Sequence, residues 1–235
     1  MDDPIVASLC DASLRSSDVH LINGPHWIND AVIAYAFELL LHPSSSILMT
    51  PAVAHLLVNL DQESALGLSA SMSLDKAETV FIPVNDSTEL DSPGGSHWSL
   101  LVYSRAANAF FYYDSLNKYN ISAAKRVQRR FAKLIQKHKG DDSLIHSISA
   151  APYFQEMDVQ AQINGYDCGM YVIAMTQLLL SRVSATEAGV SGKPGDQSLW
   201  RMRTCLTPET VAKTRVWLYE KVAENARMRG FLLLD

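Results

Sequence analysis

Hydrophobic and polar positions change rhythm several times along this chain, and each change marks an element. A polar lead-in gives way to an apolar-rich stretch from about Asn29 to Leu41, which reads as a helix. Thr50-Pro51 supplies an N-cap and a first-turn proline for a second helix. Val80 to Val84 reads as a strand, and the loop from Asn85 to Ser96 follows with Pro93 and two glycines. The runs Gly94–Tyr103 and Ala109–Ser115 are aromatic and β-branched, and the short polar gap Arg105-Ala106-Ala107-Asn108 between them predicts a β-hairpin. From Ser122 to His138 the period is helical, with Val127, Phe131 and Leu134 facing inward. A strand is expected near Leu144 to Ile148. A largely apolar run, Met170 to Leu180, then predicts a buried helix, and a last helix starts at Thr207-Pro208-Glu209. The Ser/Gly-rich stretch 184–198 between these two helices reads as a flexible insertion. Strands interleaved with helices predict one α+β domain over residues 1–235, a mixed sheet covered by helices, without internal repeats.

Composition narrows the picture by exclusion. With 235 residues, 48% hydrophobic and 19% charged, the chain has the makings of a substantial core and is neither disordered nor a membrane protein. No run reaches the roughly 18 apolar residues of a membrane span, and the acidic start Met1-Asp2-Asp3 argues against a signal peptide. A net charge of −5 argues against a nucleic-acid partner. The basic cluster Lys125, Arg126, Arg129, Arg130, Lys133, Lys137 and Lys139 reads as a solvated helix face. His20, His26, His42, His55, His138 and His146 are scattered without paired ligand spacing, so no metal site and no cofactor is expected. Three widely spaced cysteines without a Cys-x-x-Cys motif fit a reducing, intracellular compartment. Of these, Cys10 and Cys205 are expected to serve only in packing.

The third cysteine is different. Cys168 lies in Gln162-Ile163-Asn164-Gly165-Tyr166-Asp167-Cys168-Gly169, a turn-forming stretch immediately before the buried helix. There the unpaired N–H groups and the positive end of the helix dipole favour a thiolate, a nucleophile that wants a base. The predicted hairpin offers one. If its loop is centred on Ala106 and Ala107, His97 pairs with Leu116, and Asp114 becomes its diagonal neighbour on the same face. A one-residue slip would separate them to opposite faces. Cysteine, histidine and an orienting carboxylate make a cysteine-hydrolase triad. The developing oxyanion needs donors, which the Cys168 backbone N–H and a side-chain amide would supply. Gln162 is the candidate, with Gln155 and Gln160 equally polar and not separated from it by sequence alone.

Taken in order, His97-Trp98, Asp114-Ser115 and Gln162…Asp167-Cys168-Gly169-Met170-Tyr171 resemble the sentrin-specific, or deSUMOylating, protease family, which processes ubiquitin-like modifiers. Trp27-Ile28-Asn29-Asp30 is similar to that family's Trp-Leu-Asn-Asp motif, and the likeness runs from about Ser13 to the C-terminal helix. Within the family the strand around Gly94-Gly95-Ser96-His97-Trp98-Ser99-Leu100-Leu101-Val102-Tyr103 and the stretch from Gly24 to Glu38 look most like the deneddylase branch. So does the absence of a long regulatory N-terminus. Ile28 in place of leucine and the 184–198 insertion depart from the pattern.

The resemblance implies a papain-like fold with the catalytic cysteine at a helix N-terminus. It also implies hydrolysis after the C-terminal Gly-Gly of a ubiquitin-like modifier, most simply the neddylation modifier. Cys168 would be the nucleophile, His97 the base, Asp114 its orienting group and Gln162 an oxyanion donor. Trp27 and Trp98 would close over the di-glycine, with Gly95 beside them, in a slot too narrow for a β-carbon. Asp30 would pair with the arginine of the modifier's Leu-Arg-Gly-Gly tail. The loop from Asp91 to Gly95 would act as a lid. A monomeric cytoplasmic or nuclear enzyme is expected, acting on the modifier and its conjugates without nucleic acid or membrane. The alternatives are a SUMO or mixed-specificity protease, an acyltransferase of related fold, or an inactive binding module.

Overall fold

A computed structural model describes residues 2–87, 94–137, 151–193 and 195–231, the side chains of 136 and 137 excepted. Its elements in chain order are β1 (Ile5–Leu9), β2 (Ala12–Arg15), α1 (Ser16–Ile22), α2 (Asp30–Leu39), β3 (Ser46–Leu48), α3 (Pro51–Asn59), α4 (Gln62–Ser71) and β4 (Thr79–Asn85). There follow β5 (Trp98–Ser104), β6 (Ala109–Tyr113), α5 (Ile121–Lys137), β7 (Tyr153–Glu156), α6 (Cys168–Glu187), a 3-10 turn (Gln197–Trp200) and α7 (Pro208–Met228). The strand expected near 144–148 and most of the lid segment fall outside the described residues.

The five-stranded sheet runs β3-β4-β5-β6-β7, and it is mixed: β3 lies parallel to β4, β7 lies parallel to β6, and the central pairs are antiparallel. Its central strands are buried on both faces. In β5 and β6, Leu100, Val102, Ala109, Phe111 and Tyr113 enter one core with α2, α6 and α7. Their alternates Leu101, Tyr103, Phe110 and Tyr112 enter a second core with α3 and α5. Period-2 side chains thus explain both layers, and covering both faces explains why these strands read as unbroken apolar runs.

Two expectations change. The polar lead-in is an ordered hairpin, β1 with β2, followed by α1. Only β2 alternates, over four residues, and β1 is irregular between Ile5 and Ala7, so no period stands out. The supposed flexible insertion begins inside α6, which continues to Glu187. Farther along it, Gly195 approaches the β5–β6 turn so closely that an added β-carbon would lie 3.2 Å from the Ala106 carbonyl.

The basic face of α5 is also less solvated than its sequence suggests. Lys125 lies over the Phe154 ring at 5.5 Å. Arg130 donates to the carbonyls of Leu57, Leu60 and Asp61 and to Gln62 Oε1, tying α5 to the C-terminal end of α3. By length and composition α6 could cross a membrane, but 67% of its most apolar window is buried inside the protein. It is the central helix of the first core.

Candidate active site

Three strand ends meet at one end of the sheet. Asp86 follows β4, His97 precedes β5 and Asp114 follows β6. The β5–β6 register is the one that a loop centred on Ala106 and Ala107 demands, with Leu100 opposite Tyr113 and Ser104 opposite Ala109. His97 and Asp114 therefore project from one face as diagonal neighbours, and Nε2 meets Oδ1 at 2.6 Å. Both side chains are buried.

The Asp114 carboxylate is saturated with donors. Oδ1 accepts from His97 and from the Leu116 N–H at 2.8 Å, and Oδ2 accepts from Tyr112 Oη at 2.5 Å and the Asn120 N–H at 3.0 Å. Burial pushes its pKa up, but these bonds outweigh it and hold the group below the ordinary carboxylate value. The turn that delivers the two backbone donors contains Asn117 and Lys118, both at positive φ, a conformation that costs energy in non-glycine residues.

Burial alone would lower the His97 pKa. Its bonds to Asp114 and to the Cys168 thiol win, and push it up to about 9. The imidazole thus holds the carboxylate on Nε2 while the Cys168 sulfur acts on the same ring. Tyr119 stands edge-on to the ring at 5.5 Å, partly shielding it from solvent.

Cys168 is the first residue of α6 and is buried, unlike Cys10 and Cys205. Those two were expected to pack; both are exposed, Cys10 at φ +47° in the β1–β2 turn. As the first helical residue, Cys168 carries one of the N–H groups that no helical carbonyl reaches. Gly169 lets this helix end press inward, because a β-carbon there would fall 2.5 Å from Ile28 Cγ1 and 3.4 Å from Trp98 Cδ1.

Gln162 is held beside the helix start. Its Oε1 accepts from Ser115 Oγ at 2.7 Å and its Nε2 donates to the Asn164 carbonyl at 2.7 Å, which leaves one amide hydrogen free to donate. Gln155 sits in β7 and Gln160 is exposed, so position separates the three as sequence did not.

A cavity of about 820 Å³ opens over these groups, and Trp27, Asp30, Gly95, His97, Trp98 and Cys168 all line it. Trp27 is half exposed and its Nε1 donates to the Gly165 carbonyl, across to the cysteine loop. Trp98 Nε1 donates to the Ile28 carbonyl at 3.2 Å. Asn29 explains its own place in the motif: Oδ1 caps α2 through the Val32 N–H, and Nδ2 anchors it to Asp18. Among the described residues, no cluster of three metal-ligating side chains is present.

Sequence reasoning missed the residues that hold this assembly in place. Asp86 accepts from the N–H of Ser96 and of His97 and from Ser96 Oγ. Asn120 Nδ2 donates to the carbonyls of His97 and Val84. Arg215 of α7 donates twice to Asp167, the residue before Cys168, and also to the carbonyls of Leu21, Ile22 and His26. It thereby joins the cysteine loop to the segment carrying Trp27. None of these contacts has a local sequence signal; each is made by a polar residue to a partner distant in sequence.

Comparison with known proteins agrees with the geometry. Residues 67–193 match the Ulp1 protease family, C-terminal catalytic domain. The chain is 36% identical to sentrin-specific protease 8 of Rattus norvegicus over 184 residues, covering 75% of this chain and 80% of the relative. It is 31% identical to NEDD8-specific protease 1 of Arabidopsis thaliana over 204 residues, covering 85% and 83%. In three dimensions it is similar to the C-terminal Ulp1 protease domain solved in complex with Smt3, the yeast ortholog of SUMO. There the TM-score is 0.63 at 17% identity, over 96% of this chain and 90% of that one.

Proposed function

Because the chain belongs to the Ulp1 protease family, we propose that Cys168, His97 and Asp114 hydrolyse the bond after the C-terminal Gly-Gly of a ubiquitin-like modifier, NEDD8 before all others. The enzyme is a thiol protease of ubiquitin-like modifiers. The observation that carries the site assignment is the buried His97–Asp114 contact at 2.6 Å beside a cysteine on the first turn of α6. A relative named NEDD8-specific protease 1 points to NEDD8.

The raised basicity of His97 lets it take the proton of the Cys168 thiol. The thiolate attacks the terminal glycine carbonyl, and the new oxyanion is received by the Cys168 N–H and the Gln162 amide. Collapse breaks the C–N bond, His97 gives its proton to the leaving amine, and a thioester remains. Water then attacks with His97 as base and releases the modifier with a free carboxylate. Asp114 keeps the imidazole oriented and its positive charge compensated throughout. Trp27 and Trp98 flank the path to Cys168, where a tail without β-carbons passes most easily. The compartment follows from the thiolate: a reducing, intracellular one, cytoplasmic or nuclear, preserves it.

Modifiers carrying a C-terminal fluorogenic amide test the reading. NEDD8 should be cleaved at least tenfold faster in kcat/KM than SUMO or ubiquitin. Preference for SUMO would replace the modifier assignment while leaving the protease class intact.

A further inference from the structure

The cavity over Cys168 continues past the catalytic groups to the wall formed by α3 and α5, where His55, Asn59 and Arg126 line it. Arg126 differs from its basic neighbours on α5. Lys125 has the Phe154 ring and Arg130 has the carbonyls at the end of α3, whereas the half-buried guanidinium of Arg126 borders the cavity. Its Nη2 makes one long bond, 3.3 Å to the Ser87 carbonyl, and its Nε is buried without a partner. Among the described residues no carboxylate pairs with it. Asp86, one residue from Ser87, is already occupied by Ser96 and by the His97 N–H.

A buried guanidinium N–H without an acceptor is unfavourable, and an acceptor brought by a bound chain relieves it. The opposite charge stands elsewhere on the same cavity, where exposed Asp30 follows Trp27 and Ile28. The channel is therefore ordered in charge, anionic at the start of α2 and cationic at α5. Asn85 pairs with Trp98, next to His97, and Ser87, two residues farther along the chain, donates its N–H to Asn85 Oδ1. A chain seated on Cys168 therefore enters a cavity that Arg126 also lines.

We propose that Arg126 is a specificity-determining residue, which accepts a tail offering a carbonyl or a carboxylate at the facing position and rejects one offering a basic side chain there. The inference rests on the protease reading above and names the charge rule by which that site would choose among modifiers. A facing cation would be desolvated against a fixed like charge, while an uncharged or acidic residue would satisfy the orphaned Nε.

The test is a set of NEDD8 fluorogenic amides in which each tail residue upstream of the Gly-Gly is replaced singly by Ala, Glu or Arg. At one position the wild-type enzyme should cleave the Ala and Glu forms at least tenfold better than the Arg form. Arg126→Gln should bring that ratio to within about threefold of unity, Arg126→Lys should keep it, and Arg126→Glu should invert it. The same ratios, read as binding of the unlabelled NEDD8 forms to the Cys168→Ala protein, make the charge rule visible without turnover. An unchanged Arg penalty in Arg126→Gln and Arg126→Glu overturns the inference, as does the absence of any position with that penalty. Charge-dependent binding without cleavage by the wild type would instead retain the charge rule and overturn the protease reading.

Discussion

A β-carbon placed on Gly95 would fall 1.7 Å from Oδ1 of Asn85, so the carboxamide of one residue fills the space that a side chain on the other would need. Gly95 also sits at φ +90°, where other residues are strained. Gly95→Ala should therefore destabilise the protein by about 2 kcal/mol or more and displace His97, two residues on. Adding Asn85→Ala removes the clashing atoms but leaves the backbone strain. Thermal melting of the single and double variants checks this: recovery should be partial. Full recovery, or no loss in the single variant, would contradict it.

Cys168→Ala should abolish turnover while leaving NEDD8 binding within a few-fold of wild type. Because Cys10 and Cys205 are exposed, a general alkylating agent would label them regardless of mechanism. An electrophile fused to the modifier's C-terminus should instead modify Cys168 alone, read by peptide mass mapping. Adducts at the exposed cysteines would refute the nucleophile assignment.

Asp114→Asn should lower kcat on the order of 10²–10⁴-fold with little change in binding, since an amide neither fixes the imidazole nor compensates its charge. The pH dependence carries a second signature. His97 is raised above its ordinary value, so the imidazolium needed by the leaving amine persists below about pH 9 and is lost above it. The alkaline limb of kcat/KM should lie near that value and move toward the ordinary 6.5 in Asp114→Asn. A limb that stays in place would deny Asp114 its electrostatic role. Stability follows the same signs. The pair's contribution is complete below the ordinary histidine pKa of 6.5 and fades as pH rises through about 9. At acid pH it fails as Asp114, whose pKa is lowered from 3.8, becomes protonated.

Arg215 and Asp167 should act as a unit. Removing either leaves a partly buried charge unpaired, so Arg215→Met and Asp167→Asn should each cost about 3 kcal/mol and lower kcat/KM by about tenfold to a hundredfold through displacement of Cys168. Arg215→Lys should recover stability better than rate, because a single ammonium cannot reach Asp167 and three carbonyls together. Additive effects in the double variant would show that the two residues are independent.

What could be read from the sequence was what obeys short-range rules. Hairpin register follows from loop length, so the polar gap at Ala106-Ala107 was enough to bring His97 and Asp114 to one face. The glycine-flanked Cys168 before an apolar run marked a helix start in the same way. Thr50 and Thr207, each followed by a proline, announced two helices by their capping chemistry. The supports of the site escaped because they depend on distant folding. Nothing near Asp86 or Asn120 says that each will bind the backbone of His97, and Arg215 lies 48 residues from Asp167. Tyr112 gave a strand signal, and only the bend after β6 turns its hydroxyl into a second support for Asp114.

The grip of Arg130 on Leu57, Leu60, Asp61 and Gln62 has a mechanical meaning for the groove. It bolts the end of α3 to α5, and Arg126 stands one turn earlier on that same helix, so this side of the groove behaves as a single stiff jaw. The opposite side rests on the half-exposed ring of Trp27 and its one bond to the Gly165 carbonyl. A chain entering the groove meets unequal resistance and should open it almost entirely by swinging the indole aside. Thermal breathing of the free enzyme should likewise be concentrated at Trp27, with the α3–α5 jaw nearly still.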